Sequence, residues 1–201
     1  MSQAAKSQTA YHHGDLSRVL VERAVATIED KGVEAVSLRA LAREIGVSHA
    51  APMRHFPTRS ALLAAIAQHG VESLLASATR DVDDPALTYL EKLRAMAKGY
   101  IAWAKENPVH HLLIRNQDVM RHANDDLVGR INRYARLHED TIARAQAEGW
   151  RRDEDTRTVF ARLTAITAGL AMIASDPIYK TVFQGGLSAT EIDAALADFF
   201  K

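Results

Sequence analysis

The amino-acid sequence predicts an all-helical fold with a small N-terminal domain and a larger C-terminal domain. Apolar residues recur at intervals of three and four along most of the chain, which is the period of an amphipathic helix. Glycine, proline and capping residues interrupt that period, and no stretch alternates between apolar and polar residues as a half-buried strand would. We therefore expect residues 1–14 to form a flexible arm, residues 15–62 a three-helix domain and residues 63–201 a second helical domain.

The N-terminal domain holds the most informative pattern, two short helices joined by a turn at Gly46, after a first helix over about 15–31. Ser37 is placed to cap the earlier short helix, and Ser48 to cap the later one, which ends before Phe56. The apolar face of the earlier helix comprises Leu38, Leu41, Ala42 and Ile45. Two helices with such a turn form the unit whose second helix enters the major groove of DNA.

The rest of the chain is predicted to form further helices separated by capping and breaking residues. A long helix begins after Pro57, with Thr58 or Ser60 as its cap, and it joins the two domains. The next helix starts with Asp84 as its N-cap and Pro85 at its first position. That helix ends at Asn107-Pro108, and the remaining helical segments are predicted over about 109–120 (one or two short helices), 124–149, 153–175 and 188–199.

The bulk composition excludes several classes of protein. The chain has 201 residues, of which 47% are hydrophobic and 25% charged, as in an ordinary globular protein. It has no cysteine, which excludes disulfides and cysteine-ligated metals. No apolar run approaches the roughly 18 residues that a membrane span requires, and the N-terminus lacks the apolar core of a signal peptide. We expect a cytoplasmic protein.

The charge is distributed unevenly although the chain as a whole is neutral. Residues 37–60 carry a net charge of +3, whereas residues 61–201 carry 17 basic and 19 acidic side chains. A basic head on a mildly acidic body suits local contact with DNA phosphates. This difference in net charge is small, so it supports the DNA-binding prediction made from the helix pattern but does not carry that prediction alone.

Three stretches of the N-terminal domain resemble the TetR (tetracycline-repressor-like) family of bacterial transcription regulators: YHHGDL, SLRALAREIGVS and HAAPMRHFPTRSALLAAIA. The resemblance implies that this domain binds double-stranded operator DNA as a homodimer. It also implies a C-terminal domain that dimerises and binds a small effector. The expected function is a repressor released from a palindromic operator by a mostly hydrophobic effector; activation remains open.

The resemblance and the residue chemistry together select the candidate DNA contacts. Serine and histidine can hydrogen-bond to base edges, alanine can pack on a thymine methyl, and arginine can contact phosphates. The candidates are Ser37, Arg39, Ser48, His49, Ala50, Ala51, Met53, Arg54, His55 and Arg59.

Several of these candidates have alternative interpretations. Met53 stands where the family usually has a phosphate-binding tyrosine, so it either loses that contact or packs on a thymine. Arg59 stands where the family usually has lysine. The alternative for Arg39 is a solvated surface residue, and the alternative for His55 is a structural role. For His12 and His13 the alternative is an arm that has no role in DNA binding.

The C-terminal domain offers candidate ligand and dimer contacts. A cavity of apolar residues with a few polar groups is predicted from Tyr100, Trp103, Leu113, Asn116, Gln117, Met120, Tyr134, His138, Phe160 and Thr164. The apolar helix over 153–175 and the last helix are predicted to form a two-fold four-helix bundle. Its contacts would be Leu163, Ile166, Thr167, Leu170, Ile173, Ile192, Leu196 and Phe199, unless that helix is simply the central core helix.

Enzyme motifs are missing from the sequence. It has no G-x-S-x-G, no phosphate loop and no dinucleotide-binding glycine pattern. His138-Glu139 begins like a zinc-protease motif, but Ile142 stands where the second histidine belongs. We expect no enzyme activity, no catalytic residues, no metal site and no cofactor. The alternative hypothesis is a helical small-molecule-binding protein or enzyme whose DNA-binding head is vestigial.

Overall fold

A computed structural model describes residues 13–201, with side chains from Leu16 onwards. The predicted arm therefore lies outside the described residues up to and including His12, and residues 13 and 14 belong to the first helix. All regular structure in the part that is described is helical, as predicted. The chain divides into two compact units, the first ending at Ile66 and the second running from Ala67 to Lys201.

The first unit is a small helical domain around one apolar core. Its helices are α1 (His13–Lys31), a 3-10 turn (Val33–Ala35), α2 (Leu38–Glu44), a second 3-10 turn (Pro52–Arg54) and the beginning of α3 (Arg59–Ala78). Its buried apolar side chains are Leu16, Leu20, Ala24, Ile28, Val36, Leu41, Ala42, Phe56, Leu62, Leu63 and Ile66. The helical period read from the sequence accounts for most of this core.

The second unit is a larger helical bundle. After the end of α3 it contains α4 (Tyr89–Glu106), α5 (Pro108–Ile114), α6 (Gln117–Met120), α7 (Asp125–Ala147), α8 (Thr156–Ser175), α9 (Pro177–Val182) and α10 (Ala189–Ala197). Helix α4 packs against both α7 and α8. Its buried residues Leu93, Ala97 and Ile101 belong to the main core of the unit.

Capping side chains set several helix starts as predicted. The Thr58 hydroxyl accepts a hydrogen bond from the Ala61 amide at 3.0 Å, near the start of α3. The side chain of Asn124 caps α7. Ser188 and Glu191 form a capping box at the start of α10.

Two predicted starts are wrong. Asp84 caps no helix; its carboxylate accepts from the Ala86 amide within a turn, and α4 begins later at Tyr89. Thr88 and Glu91 form a complete capping box there, which satisfies more free amides than an aspartate followed by proline. Helix α8 begins at Thr156, and the short α9 is an additional element.

By length and composition alone, α3 and α8 could each cross a membrane. Each nevertheless buries part of its surface against protein, and α8 packs on α4 and α7. Their apolar character is that of core helices in a globular fold.

Candidate nucleic-acid interface and ligand cavity

The turn after α2 has the geometry that its sequence predicts. Gly46 has a φ of 73°, in the left-handed region that favours glycine. The Val47 amide then donates to the carbonyl of Ala42 at 3.0 Å, which closes the helix end. One predicted cap is wrong: the Ser37 side chain makes no capping hydrogen bond, although Ser37 occupies the N-cap position.

The segment after this turn is not the α-helix that the sequence predicts. Residues 49–51 form a turn and Pro52–Arg54 form a 3-10 helix. In an α-helix the amide of residue 52 would donate to the Ser48 carbonyl, but proline has no N–H. The Ala51 amide donates to that carbonyl instead, at 3.0 Å, so Ser48 contributes its carbonyl and does not cap a helix with its side chain.

The same proline anchors the far end of the segment. The carbonyl of Pro52 accepts hydrogen bonds from the amides of His55 and Phe56, at 3.0 and 2.8 Å. Pro52 and Phe56 are both buried, as the core role predicted for Phe56 requires. The segment is thus held at both ends while the residues between them face outward.

Most of the predicted DNA contacts are exposed residues of the first unit, and we call this set, with Arg43, the head surface. Its exposed members are Ser37, Arg39, Arg43, Ser48, His49, Ala50, Met53 and Arg54. Ala51, His55 and Arg59 are only partly exposed. The side chain of Met53 is 57% exposed, so nothing in the described fold requires an apolar residue there.

Positive charge on the head surface is not neutralised within the described residues. The side chains of Arg39, Arg43 and Arg54 make no hydrogen bond or ion pair with any of residues 16–201. Arg43 was not among the predicted contacts. It follows Arg39 by four residues on α2, and this spacing puts both side chains on one helix face, so the signal was present in the sequence.

Arg59 has a different environment from the other arginines. Its Nη2 donates to the Val33 carbonyl at 2.7 Å, and its Nε donates to the Val36 carbonyl at 3.2 Å. Nη2 also lies 3.2 Å from a carboxylate oxygen of Glu34. The structure therefore places Arg59 against the 3-10 turn after α1, where it fastens the start of α3.

The second unit contains a cavity of about 260 Å³ between α3, α4, α7 and α8. Five of the ten predicted ligand contacts line it: Tyr100, Tyr134, His138, Phe160 and Thr164. Apolar wall residues that the sequence analysis did not select include Val71, Leu74, Leu75, Met96, Ala97 and Ile131. They lie on the inward faces of amphipathic helices, and periodicity alone does not separate a cavity wall from a filled core.

The other five predicted contacts do not line the cavity. Trp103 is buried and its Nε1 donates to the Ser73 hydroxyl at 3.1 Å, while Leu113 is fully buried in the core. Asn116 caps α6 with its side chain. Gln117 and Met120 belong to that short helix, which carries no cavity residue.

Two histidines beside the cavity are neutral because they are buried. His138 Nδ1 donates to the Tyr134 carbonyl at 3.0 Å, and burial lowers the pKa of His138 despite that hydrogen bond. His111 is 1% exposed; burial, and then the charge of Arg115, lower its pKa to about 4. Burial also raises the pKa of the Tyr134 phenol, which stays protonated.

The predicted dimer contacts are largely buried within the single chain. Leu163, Thr167, Leu170, Leu196 and Phe199 are buried, and Ile166, Ile173 and Ile192 are partly buried. Leu163 and Leu170 belong to the main core of the second unit, and Ile166 packs against it. Ala161, Ala165, Gly169 and Met172 recur at helical spacing and are exposed or partly exposed, and we call them the outward face of α8; Arg162 and Thr164 are exposed on the same helix.

Comparison with known proteins places the chain in a family. Residues 20–66 match the bacterial regulatory proteins of the tetR family. A solved protein of unknown function from Rhodococcus sp. RHA1 is 31% identical, with a TM-score of 0.77, and the alignment covers 96% of this chain and 97% of that one. AibR, solved in complex with isovaleryl coenzyme A and operator DNA, shares the fold at 19% identity, with a TM-score of 0.65 over 91% of this chain and 95% of AibR.

A curated relative matches over the N-terminal half. The nucleoid occlusion factor SlmA of Vibrio campbellii is 29% identical over 102 residues, which are 51% of each chain, so the chain spans about half the length of the curated relatives it matches. Residues 20–66, which match the tetR family, contain α2, the Gly46 turn and the Pro52 segment. The protein belongs to the TetR family of bacterial regulatory proteins.

Proposed function

We propose that this protein is a cytoplasmic, homodimeric repressor that binds a palindromic DNA operator and is released by a small, mostly hydrophobic effector. The observation that carries the proposal is the head surface, where the side chains of Arg39, Arg43 and Arg54 are exposed and have no partner among residues 16–201. Unpaired arginines on a small helical domain suit contact with DNA phosphates. The proposed role is regulatory and not enzymatic.

Recognition of a base sequence would fall to the tip of the head surface. His49 and Ser48 are exposed and carry the donors and acceptors that base edges match, while Ala50 and Met53 are exposed apolar groups that suit a thymine methyl. Arginines on either side of the tip would fix its register by contacting the backbone. In this arrangement Met53 replaces a phosphate contact with an apolar one.

Dimerisation is proposed through the outward face of α8. Ala161, Ala165, Gly169 and Met172 recur at helical spacing, and the small ones among them let another helix approach closely. A two-fold dimer is required because two heads must meet successive major grooves about 34–36 Å apart. The small size of these side chains supports a contact between two α8 helices. The proposed interface therefore depends on these small residues and not on the buried leucines.

Release by an effector is proposed because the second unit contains the apolar cavity. The structure of AibR holds both an acyl coenzyme A and operator DNA, so the same fold accommodates both kinds of ligand in that protein. A ligand releases DNA only to the extent that it binds the non-binding conformation more tightly. The cavity at 260 Å³ suits a smaller ligand than an acyl coenzyme A.

The DNA-binding step is tested with a charge-matched pair of variants. One variant carries Arg39→Ala, Arg43→Ala and Arg54→Ala. The control carries Arg80→Ala, Arg133→Ala and Arg136→Ala, three exposed arginines of the second unit whose side chains have no hydrogen-bond or ion-pair partner among residues 16–201. Duplex affinity is measured by fluorescence anisotropy at several salt concentrations. We expect the head variant to lose most binding and to lower the salt slope by about 0.9 per lost phosphate contact. Equal losses in both variants would contradict the proposal.

A further inference from the structure

The rings of His138 and Tyr134 give the cavity a defined polarity. His138 is 9% exposed, and its Nδ1 lies 3.0 Å from the carbonyl oxygen of Tyr134. A carbonyl can only accept, so Nδ1 carries the proton of the neutral ring and Nε2 carries the lone pair. Nε2 makes no hydrogen bond with any of residues 16–201, and neither does the Tyr134 hydroxyl.

Both of these polar atoms are open to space. Among the described residues, the enclosed side-chain polar atoms without a partner are Trp150 Nε1 and Arg151 Nε. His138 Nε2 and the Tyr134 hydroxyl are not enclosed in that way, and both residues line the cavity. The residues that carry this acceptor and this donor therefore both line the cavity, and their ring centres are 4.4 Å apart.

A hydrogen-bonded chain holds a third group. His111 Nδ1 lies 2.8 Å from the Ser175 hydroxyl oxygen, and His111 Nε2 lies 3.1 Å from the Tyr100 hydroxyl oxygen. One nitrogen of a neutral histidine donates and the other accepts, so the tautomer of His111 sets the direction of both hydrogen bonds together. Tyr100, which lines the cavity, therefore has its hydroxyl engaged by His111.

The charge of the wall disfavours a cation. Arg115 carries the only full charge among the residues lining the cavity, and no carboxylate lines it. A carboxylate ligand is also disfavoured at the histidine, because its lone pairs would face the lone pair of Nε2. An uncharged ligand with its own O–H satisfies Nε2 and accepts from Tyr134 at once.

The size and lining of the cavity select a ring compound. A dry cavity of about 150 Å³ is large enough for benzene. At about 260 Å³, this one has room for a benzene ring with a short alkyl chain. The rings of Tyr134 and Phe160 both flank His138, the latter at 5.9 Å, and they suit edge or offset packing with an aromatic ligand.

We propose that the cavity binds an uncharged alkylphenol, whose hydroxyl donates to His138 Nε2 and accepts from Tyr134 while its ring and alkyl chain fill the apolar part. The claim that an alkylphenol is the effector rests on the proposed function. The claim that the cavity binds an alkylphenol rests on the cavity alone.

Four probes that share a 4-propylphenyl group test the proposal by calorimetry on the full chain. They are 4-propylphenol, 4-propylanisole, 4-propylbenzoate and 4-propylbenzylamine, of which only the first has a neutral O–H donor. We expect 4-propylphenol to bind at least tenfold more tightly than each of the others. Equal binding of the anisole would remove the hydrogen bond from the account, and tighter binding of the benzoate or the amine would overturn it.

A pair of histidine variants locates the site. His138→Phe keeps a ring of similar size and removes the acceptor; His122→Phe is the control, because exposed His122 also bonds through Nδ1 to a backbone carbonyl, that of Asp118 at 2.9 Å. We expect only His138→Phe to abolish the preference for phenol over anisole. Retention of that preference in His138→Phe would overturn the assignment. If that variant does not fold, Tyr134→Phe is the replacement, and a preference unchanged there would count equally against the site.

DNA release is measured separately so that the two proposals fail separately. Phenol binding without any effect on duplex affinity would contradict the effector role and leave the site intact. Duplex binding without any phenol binding would contradict the site and leave the repressor proposal standing.

Discussion

Arg59 Nη2 lies 2.7 Å from the carbonyl oxygen of Val33, a contact between the first residue of α3 and the turn that follows α1. The Nε of the same guanidinium donates to a second carbonyl, that of Val36, at 3.2 Å. These hydrogen bonds connect residues more than twenty positions apart and hold the two sides of the head in register. A residue selected from the sequence for DNA contact thus has a structural role as well.

Replacing Arg59 tests that structural role. We expect Arg59→Ala to lower the free energy of unfolding by about 2 kcal/mol, because two carbonyls lose a charged donor. The ion pair with exposed Glu34 adds little. Lysine cannot donate to both carbonyls in a fork, so Arg59→Lys should recover only part of the loss. Urea denaturation measures both; an unchanged midpoint in Arg59→Ala would show that these hydrogen bonds contribute nothing to stability.

Gly70 tests the close packing of α3 on α5. A Cβ added at Gly70 would lie 2.9 Å from the Cβ of His110, too close for either helix to stay in place. We expect Gly70→Ala to cost about 1–3 kcal/mol by overpacking. The control is Gly129→Ala in α7, whose new Cβ would meet only Arg133 Nη1 at 3.7 Å. That variant should gain about 0.5–1 kcal/mol from helix propensity. Thermal unfolding of the two variants should shift in opposite directions, and a parallel shift would refute the packing argument.

The buried histidine His111 predicts how stability depends on pH. Its pKa is lowered to about 4 in the folded protein, against about 6.5 when exposed, so the unfolded chain binds the proton more readily. Stability is then fully present above pH 6.5 and falls as the pH drops towards 4. The expected loss from this residue is about 2 kcal/mol between pH 7.5 and pH 5.

The variant His111→Asn isolates this effect. It is expected to be less stable at neutral pH, because Tyr100 and Ser175 lose their partner, but its stability should fall less between pH 7.5 and pH 5. The remaining dependence would come from groups such as His138, whose pKa is also lowered. Urea denaturation at each pH measures the difference, and parallel curves for the two proteins would show that His111 does not titrate as stated.

The outward face of α8 predicts where dimerisation can be broken. Ala165 is exposed there among small residues, so Ala165→Arg should prevent close approach of a second helix. The control Ala102→Arg places the same side chain on the exposed side of α4. Analytical ultracentrifugation should find a monomer for Ala165→Arg alone, with unchanged far-ultraviolet circular dichroism. A dimer that persists in Ala165→Arg would place the interface elsewhere.

The sequence predicted the elements whose cause is local. Apolar spacing of three and four residues indicated the long helices, and Gly46, Asn124 and the Ser188–Glu191 box occupy the turn and caps that their chemistry favours. The start of α4 was predicted wrongly because two local capping signals compete there. The Thr88–Glu91 box satisfies more backbone groups than Asp84 does, and both signals were visible in the sequence.

The site residues depend on packing between helices and were harder to predict. Pro52 was recognised as a problem for a helix, but only the backbone shows that it converts the segment into a 3-10 turn. Leu163 and Leu170 were predicted as dimer contacts, with a core role as the alternative, because apolar spacing alone does not separate the two; both residues belong to the main core of the second unit. The polarity of the cavity depends on one hydrogen bond, from His138 to the Tyr134 carbonyl, which no periodicity indicates.

The measurement that tests the central claim most directly is the selection of duplexes by the purified protein from a pool of random DNA, read by sequencing. The account predicts enrichment of a palindrome with half-sites one helical turn apart, and its loss in the Arg39, Arg43 and Arg54 triple variant. Because bound effector could mask this activity, the protein is unfolded, dialysed and refolded before selection. A folded dimer that enriches no sequence at low salt after that treatment would contradict the proposal that this protein is an operator-binding repressor.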